Sequence, residues 1–245
     1  MNYTIIKKDW IEEKMKTLII IPAYNEQENI ETVVENLKQN YSQYDYIIVN
    51  DGSKDHTAEI CRKNKYHFID LPVNLGLAGA FQAGLRYAYA YGYDMAIQYD
   101  GDGQHDAKYI SSMIDAMQSG NYDIVIGSRF CDKKKPRTMR MLGNTMISFA
   151  IRLTTGKRIN DPTAGMRLFN KRMIHLFSHN INYGPEPDTI SYLLHCGANI
   201  SEVQVEMHER VAGVSYLSMG KSIRYMLNMF ISILFVQFFR PKEMI

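Results

Sequence analysis

Two aspartates one residue apart, Asp100 and Asp102, stand where the apolar run Met95-Ala96-Ile97 gives way to Gly101, Gly103, Gln104 and His105. The run reads as a buried strand, and the glycines predict a turn where it emerges. Carboxylates at the C-terminal edge of a strand lie where open α/β sheets place ligand chemistry. Two held close together raise one another's pKa unless a cation intervenes. Mg2+ or Mn2+ resolves that conflict, because both prefer oxygen ligands and are usually held by one or two carboxylates plus substrate phosphates. The stretch therefore predicts a divalent metal bridging protein carboxylates to a diphosphate. Taken alone, the string reads more plainly as a solvated turn. A calcium loop of the EF-hand type is excluded. His105 stands where that loop needs glycine, Ser111 stands where it needs glutamate, and a strand precedes the loop in place of a helix.

The surrounding chain supplies a frame for these groups. Thr17 to Ile21 is a continuous β-branched and apolar run, the mark of a strand buried on both faces. It ends at Pro22-Ala23-Tyr24-Asn25-Glu26, and Asn25 is placed to cap a helix from about Glu26 to Asn40. Further strands are expected at Tyr46–Val49, His67–Asp70, Ile124–Ile126 and Ile200–Val205. Helices are expected near 57–64, from Gly76 to Tyr91, at 108–118, at 141–153, and from about Thr189 to Cys196. Strands alternating with helices through short loops indicate an α/β fold with a mainly parallel central sheet. Tyr24 and Glu26, Asp51 and Ser53, Asp100 and Asp102, and Arg129 all fall just beyond expected strand ends. A doubly wound sheet gathers such ends along one rim, so these groups are expected to line one crevice.

Composition excludes little but is consistent with this frame. The 245 residues suffice for one large α/β domain or a domain with an appendage. A net charge of +2 with no long basic run gives no case for nucleic acid. Cys61, Cys131 and Cys196 show no metal-ligand spacing and read as reduced thiols of a cytoplasmic protein. Met1 to Lys16 is polar, with no apolar core of a signal peptide. Ile223 to Phe239 is nearly all apolar, with Arg224, Asn228 and Ser232 at four-residue intervals and Lys221, Arg240 and Lys242 flanking it. That pattern predicts an amphipathic helix in a membrane interface; a helix packed on the core is the competing reading. The expected organisation is an extension over 1–16, a catalytic domain over 17–220 and an amphipathic segment over 221–245.

Five motifs occur in order: IIIPAYNE at 19–26, VNDGS at 49–53, GLAGAFQAG at 76–84, QYDGDGQH at 98–105 and IGSRF at 126–130, extended by DPTAGMRLF at 161–169 and HERVAGVS at 208–215. On these the chain resembles an inverting glycosyltransferase of family 2 with the GT-A fold, within the dolichyl-phosphate mannose synthase-like branch, over about residues 17–215. The resemblance implies that Pro22, Tyr24 and Glu26 hold the base and ribose of a nucleoside-diphosphate sugar and that Asp51 accepts a hydrogen bond from the base. Asp before Gly-Ser is equally a common turn or cap. Gly76 and Gly79 would let backbone approach the nucleotide. Asp100 and Asp102, with Gln104 as a further ligand, would bind Mg2+ or Mn2+, which neutralises the departing diphosphate. Arg129 and Arg210 would face phosphates, where a guanidinium fork matches the oxygens.

The resemblance implies a cytoplasmic enzyme, peripheral on the inner face of the cell membrane, acting on a lipid-linked polyprenyl acceptor in cell-surface glycan assembly. Two features separate the chain from the branch. Arg140 and Asn144 stand where an acceptor-phosphate site tends to show Arg and Ser. The loop Tyr183-Gly184-Pro185-Glu186-Pro187-Asp188 is acidic. A phosphate monoester is already ionised near neutral pH, whereas a sugar hydroxyl needs a general base. Glu186 and Asp188 are the candidate bases, with Asp188 alternatively a helix cap. The sequence thus tilts toward a hydroxyl of a lipid-linked sugar, with a polyprenyl phosphate as the alternative. A sugar-nucleotide nucleotidyltransferase is disfavoured, because PAYNE follows the first strand in place of a glycine- and arginine-rich loop. An inactive scaffold is disfavoured by the intact Asp51, Asp100 and Asp102.

Overall fold

The computed structural model describes residues 15–180, 184, 186–207, 219–235 and 239–240. The strands are β1 (Thr17–Ala23), β2 (Asp45–Asn50), β3 (Phe68–Asp70), β4 (Met95–Gln98), β5 (Ile124–Ser128), β6 (Arg167–Asn170) and β7 (Ile200–Gln204). The helices are α1 (Ile30–Asn40), α2 (Thr57–Lys63), α3 (Gly76–Ala90), α4 (Tyr109–Gly120), α5 (Met139–Thr155), α6 (Lys171–His179), α7 (Pro187–His195) and α8 (Met219–Leu234). One sheet runs in the order β3-β2-β1-β4-β6-β5-β7.

The uninterrupted apolar run of β1 is explained by burial on both faces. Leu18 and Ile20 join one apolar cluster while Ile19 and Ile21 join the other. Each fully buried side chain of this size contributes about 1.5–3 kcal/mol, so the central strand anchors both layers. β1 pairs in parallel with β2 and β4, which aligns their C-terminal ends on one rim. The exception is β6. It runs antiparallel between β4 and β5, and Arg167 is in register with both Gln98 and Ile126. An antiparallel strand starts where its neighbours end, so the loop Asp161–Met166 is delivered onto the same rim.

Several boundaries differ from expectation. The first helix starts at Ile30, not near Glu26, and Asn25 does not cap it. Asn25 adopts a left-handed backbone, φ 57°, and its Oδ1 accepts from the Lys54 N–H at 2.8 Å. Helix α6, not anticipated, follows β6 directly, with Asn170 as its cap accepting from the Met173 N–H at 2.9 Å. Helix α7 begins at Pro187, so Asp188 lies inside its first turn and is not the cap. The tail helix ends at Leu234. It packs against α5 and α7, with Ile233 fully buried in the cluster beneath them.

Candidate active site

Three loops at the β1–β2–β3 end of the rim are tied together by hydrogen bonds from backbone N–H groups to side-chain oxygens. The Asn25 N–H donates to Ser53 Oγ at 2.9 Å, and the Glu26 N–H donates to Thr57 Oγ1 at 2.9 Å. Gln27 and His56 are joined through the His56 N–H and Gln27 Oε1 at 3.0 Å. Asp51, buried at the end of β2, accepts from the Leu75 N–H at 2.7 Å and so braces the loop that opens α3. Gly52 permits this crowding. Its φ is +62°, and a Cβ there would stand 2.6 Å from the Val73 carbonyl carbon. Glu26 is half-buried, and its Oε2 accepts from Asn29 Nδ2 at 2.8 Å. Pro22 and Tyr24 flank this loop, half-buried. Gly76, φ +76°, starts α3 with open space around it.

The turn after β4 holds Asp100, Asp102 and Gln104. Its geometry is set by His105, which is buried. His105 Nδ1 accepts from the Asp100 N–H at 3.1 Å. Nε2 stands 3.6 Å from Asp100 Oδ2, beyond hydrogen-bond range, and has no hydrogen-bond partner. Tyr99 fixes the other side of the turn by donating its hydroxyl to the His105 carbonyl at 2.6 Å. Asp102 is buried, and its Oδ1 accepts from the Gln104 N–H at 3.1 Å.

The loop before β6 closes over Asp100. A Cβ at Gly165 would stand 2.7 Å from Asp100 Oδ2 and 3.2 Å from His105 Cε1. Only glycine leaves that carboxylate in place. Among the described residues no group of three His, Cys, Asp or Glu side chains converges to hold a metal. Asp100 and Asp102 stand together at the strand end, and an ion held there would have to complete its shell from substrate phosphates, the mode usual for Mg2+.

Farther along the rim the groups are charged and buried. Arg129 was expected to face phosphate. Its fork instead grips Asp161, with Nε to Oδ2 at 2.6 Å and Nη2 to Oδ1 at 2.9 Å. Asp161 is fully buried, and burial alone would raise its pKa. The Arg129 hydrogen bonds and charge override burial and hold it below the usual carboxylate range. Asn144 is also buried, donating to Asp161 Oδ1 at 2.8 Å and to Thr163 Oγ1 at 2.7 Å, and accepting from Lys135. Burial lowers the pKa of that lysine. Arg140 lies in the first turn of α5, but its side chain, like all of Arg210, falls outside the described residues.

Arg167, to which the sequence assigned no role, is fully buried at the same level. It donates to the carbonyls of Ala164 at 3.0 Å and Pro162 at 2.7 Å, while Nη1 has no hydrogen-bond partner. Burial presses its pKa down; the charges of Glu186, Asp161 and Asp100 oppose that. Glu186 and Asp188 sit at the start of α7 and are both held by the tail. Tyr225 donates its hydroxyl to Glu186 Oε2. Ser232 Oγ donates to Asp188 Oδ2 at 2.8 Å, and Arg240 Nη2 pairs with the same oxygen at 3.3 Å.

Comparison with known proteins agrees with this architecture. The model of the family described as glycosyl transferase family 2 matches residues 18–177. A UDP-N-acetylglucosamine–dolichyl-phosphate N-acetylglucosaminyltransferase of Methanococcus voltae is 34% identical over 183 residues, covering 66% of this chain and 72% of its own. An undecaprenyl-phosphate mannosyltransferase of Micrococcus luteus is 30% identical over 219 residues, covering 84% and 89%. The glucosyl-3-phosphoglycerate synthase of Mycobacterium tuberculosis, solved with Mn2+, UDP and phosphoglyceric acid, superposes with a TM-score of 0.65 over 91% of this chain and 79% of its own. At 16% identity it speaks for the fold alone. The mixed, mostly parallel seven-stranded sheet flanked by helices is thus a GT-A-like fold, and the chain belongs to glycosyl transferase family 2.

Proposed function

We propose that this glycosyltransferase moves a sugar from a nucleoside diphosphate to a polyprenyl phosphate, with inversion, at the cytoplasmic face of a membrane. The observation that carries the choice of acceptor is the state of Glu186 and Asp188. A general base must be open to the proton it takes. Asp188 is buried and already accepts from Ser232 and Arg240, and Glu186 accepts from Tyr225. A phosphate acceptor needs no base, and relatives named for dolichyl and undecaprenyl phosphate support it. This reverses the tilt toward a sugar hydroxyl.

In this reading Pro22, Tyr24, Glu26 and Asp51 hold the nucleotide, and the loops after β1, β2 and β3 keep it in register. Asp100 and Asp102, with Gln104, hold Mg2+ or Mn2+, which would supply charge neutralisation for the departing diphosphate. His105 and Gly165 keep Asp100 turned to that task. Arg167, with its Nη1 free of any hydrogen-bond partner, places buried positive charge at the acceptor end, while the Arg129 charge is matched by Asp161. Arg140, Asn144 and Arg210 belong to the same acceptor and diphosphate region in this proposal.

The test is transfer from a panel of UDP- and GDP-sugars to undecaprenyl phosphate, with Mn2+ or Mg2+, following nucleoside diphosphate release and the lipid product. Release of pyrophosphate in its place would return the nucleotidyltransferase reading. With a phosphate acceptor, Asp188→Asn and Glu186→Gln should keep transfer within about tenfold. A loss of several orders of magnitude in either, with sugar-nucleotide binding intact, would restore a hydroxyl acceptor.

A further inference from the structure

Helices α5 and α8 lie side by side, and Gly143 makes the contact close: a Cβ there would stand 2.9 Å from Met226 Cγ. Inward, Ile147, Ala150 and Ile151 of α5 meet the same core cluster as Ile233 of α8. Outward, both helices carry an apolar stripe. On α5, Met139, Leu142, Met146, Phe149 and Leu153 recur at intervals of three or four and are all exposed, Phe149 by 61% and Leu153 by 66%. On α8, Leu227 and Ile231 are exposed too, Phe235 just past the helix end continues their four-residue interval, and Phe239 is 87% exposed. Single exposed apolar residues are ordinary, whereas two adjoining stripes of large ones mark an interaction surface.

Charge identifies the occupant. No acidic residue occurs from Lys133 to Asn160, nor from Met219 to Arg240. Lys134, Arg137, Arg152, Arg158 and Arg224 are exposed on or beside the two helices. A second copy of this face would set cation against cation. An anionic bilayer offers apolar chains for the stripes and negative headgroups for the rim. Among the described residues neither helix is long and apolar enough to cross a membrane, and the exposed stripes suit a contact in the plane of the surface.

We propose that α5 and α8 together form one docking face for an anionic lipid surface, half of it contributed by a helix in the middle of the chain. Its purpose rests on the proposed lipid-borne acceptor; its physics does not. The inner side of α8 carries Tyr225 and Ser232, which hold Glu186 and Asp188. The lipid face and the acceptor end are therefore two sides of one helix.

The test uses the full chain and protein-free vesicles of phosphatidylcholine, with and without about 30% phosphatidylglycerol, and no prenyl phosphate. Co-sedimentation with the anionic vesicles is expected, weakening as salt rises. Phe149→Ser with Leu153→Ser should cut it about tenfold or more without lowering the melting temperature, since both side chains are exposed. Ile231→Ser with Phe235→Ser should do the same. Equal binding to neutral vesicles, or an α5 double variant that binds like the unaltered protein, would overturn the proposal. So would a dimer in solution that the α5 variant dissolves. Transfer to a short, water-soluble prenyl phosphate in vesicle-free buffer separates this proposal from the proposed activity. The α5 variant should keep the unaltered rate there. If soluble transfer proceeds and vesicle binding is absent, docking alone falls. If vesicle binding holds and no prenyl phosphate is used, docking stands and the acceptor reading falls.

Discussion

The two ends of the rim are built by different physics. At the β1–β2–β3 end, short loops lock through backbone N–H groups and small polar side chains, with Gly52 letting two loops touch. At the β5–β6–α7 end, buried carboxylates are held by guanidinium groups. Asp161 meets Arg129 across 32 residues, and Asp188 meets Arg240 across 52. Apart from the Asp51 carboxylate, held by the Leu75 N–H, the clamp's bonds include neutral ones that each contribute about 0.5–1.5 kcal/mol, so losing one of those is tolerable. A buried charge has no such margin, because removing its partner leaves it stranded. The first end is therefore a rigid clamp. The second is a balanced electrostatic assembly.

The largest expected effect probes that balance. Arg129→Met should destabilise the protein by about 3–5 kcal/mol, the cost typical of orphaning a buried carboxylate, measured by urea unfolding. A loss below about 1 kcal/mol would place Asp161 in contact with water and erase the contrast. Next, Asp102→Asn should lower turnover about a hundredfold or more with the fold retained, because it alters a proposed metal ligand at the rim and keeps the shape of the buried side chain. Near-normal turnover at saturating Mn2+ would remove the proposed metal site.

At the clamp, Gly52→Ala meets both a positive φ and a 2.6 Å approach to backbone. It should cost about 1–3 kcal/mol and weaken nucleotide binding in calorimetry, leaving vesicle binding alone. The smallest effect is acid sensitivity. Asp161 has a folded pKa below its unfolded value of about 3.9. Its contribution is thus complete above that value and is lost as pH falls through the folded one. Stability measured from pH 5 downward should fall less steeply in Asp161→Asn than in the unaltered chain, after allowing for its lower starting point.

What the sequence could show follows the same division. The positions of Asp51, Asp100 and Asp102 beyond strand ends were legible because each follows an apolar run whose length and bounding glycines mark a strand end. The parallel sheet was legible for the same reason. Asn25 was misplaced as a cap because its left-handed turn is imposed by the neighbouring loop, not by its own helix. Arg129 was rightly set at the rim, but nothing local indicates that Asp161 occupies its fork. Arg167 carried no signal beyond its place in the DPTAGMRLF motif and in an apolar strand, where an arginine is unusual enough to have been questioned. Likewise Glu186 and Asp188 read as open bases until Tyr225, Ser232 and Arg240 are brought to them by a helix that follows later in the chain.

The insertion of β6 between β4 and β5 also fixes when the site can exist during folding. Strands β1 to β4 can pair as soon as they are made. Until Arg167–Asn170 arrives, β4 and β5 each present an unsatisfied edge. Contacts between distant segments close slowly, and open apolar edges invite pairing with other chains. The step that seals the sheet is the one that brings Asp161 to Arg129 and Gly165 to Asp100. A chain halted before that step holds a formed clamp and lacks the proposed acceptor end, and it is the species a chaperone would have most reason to bind.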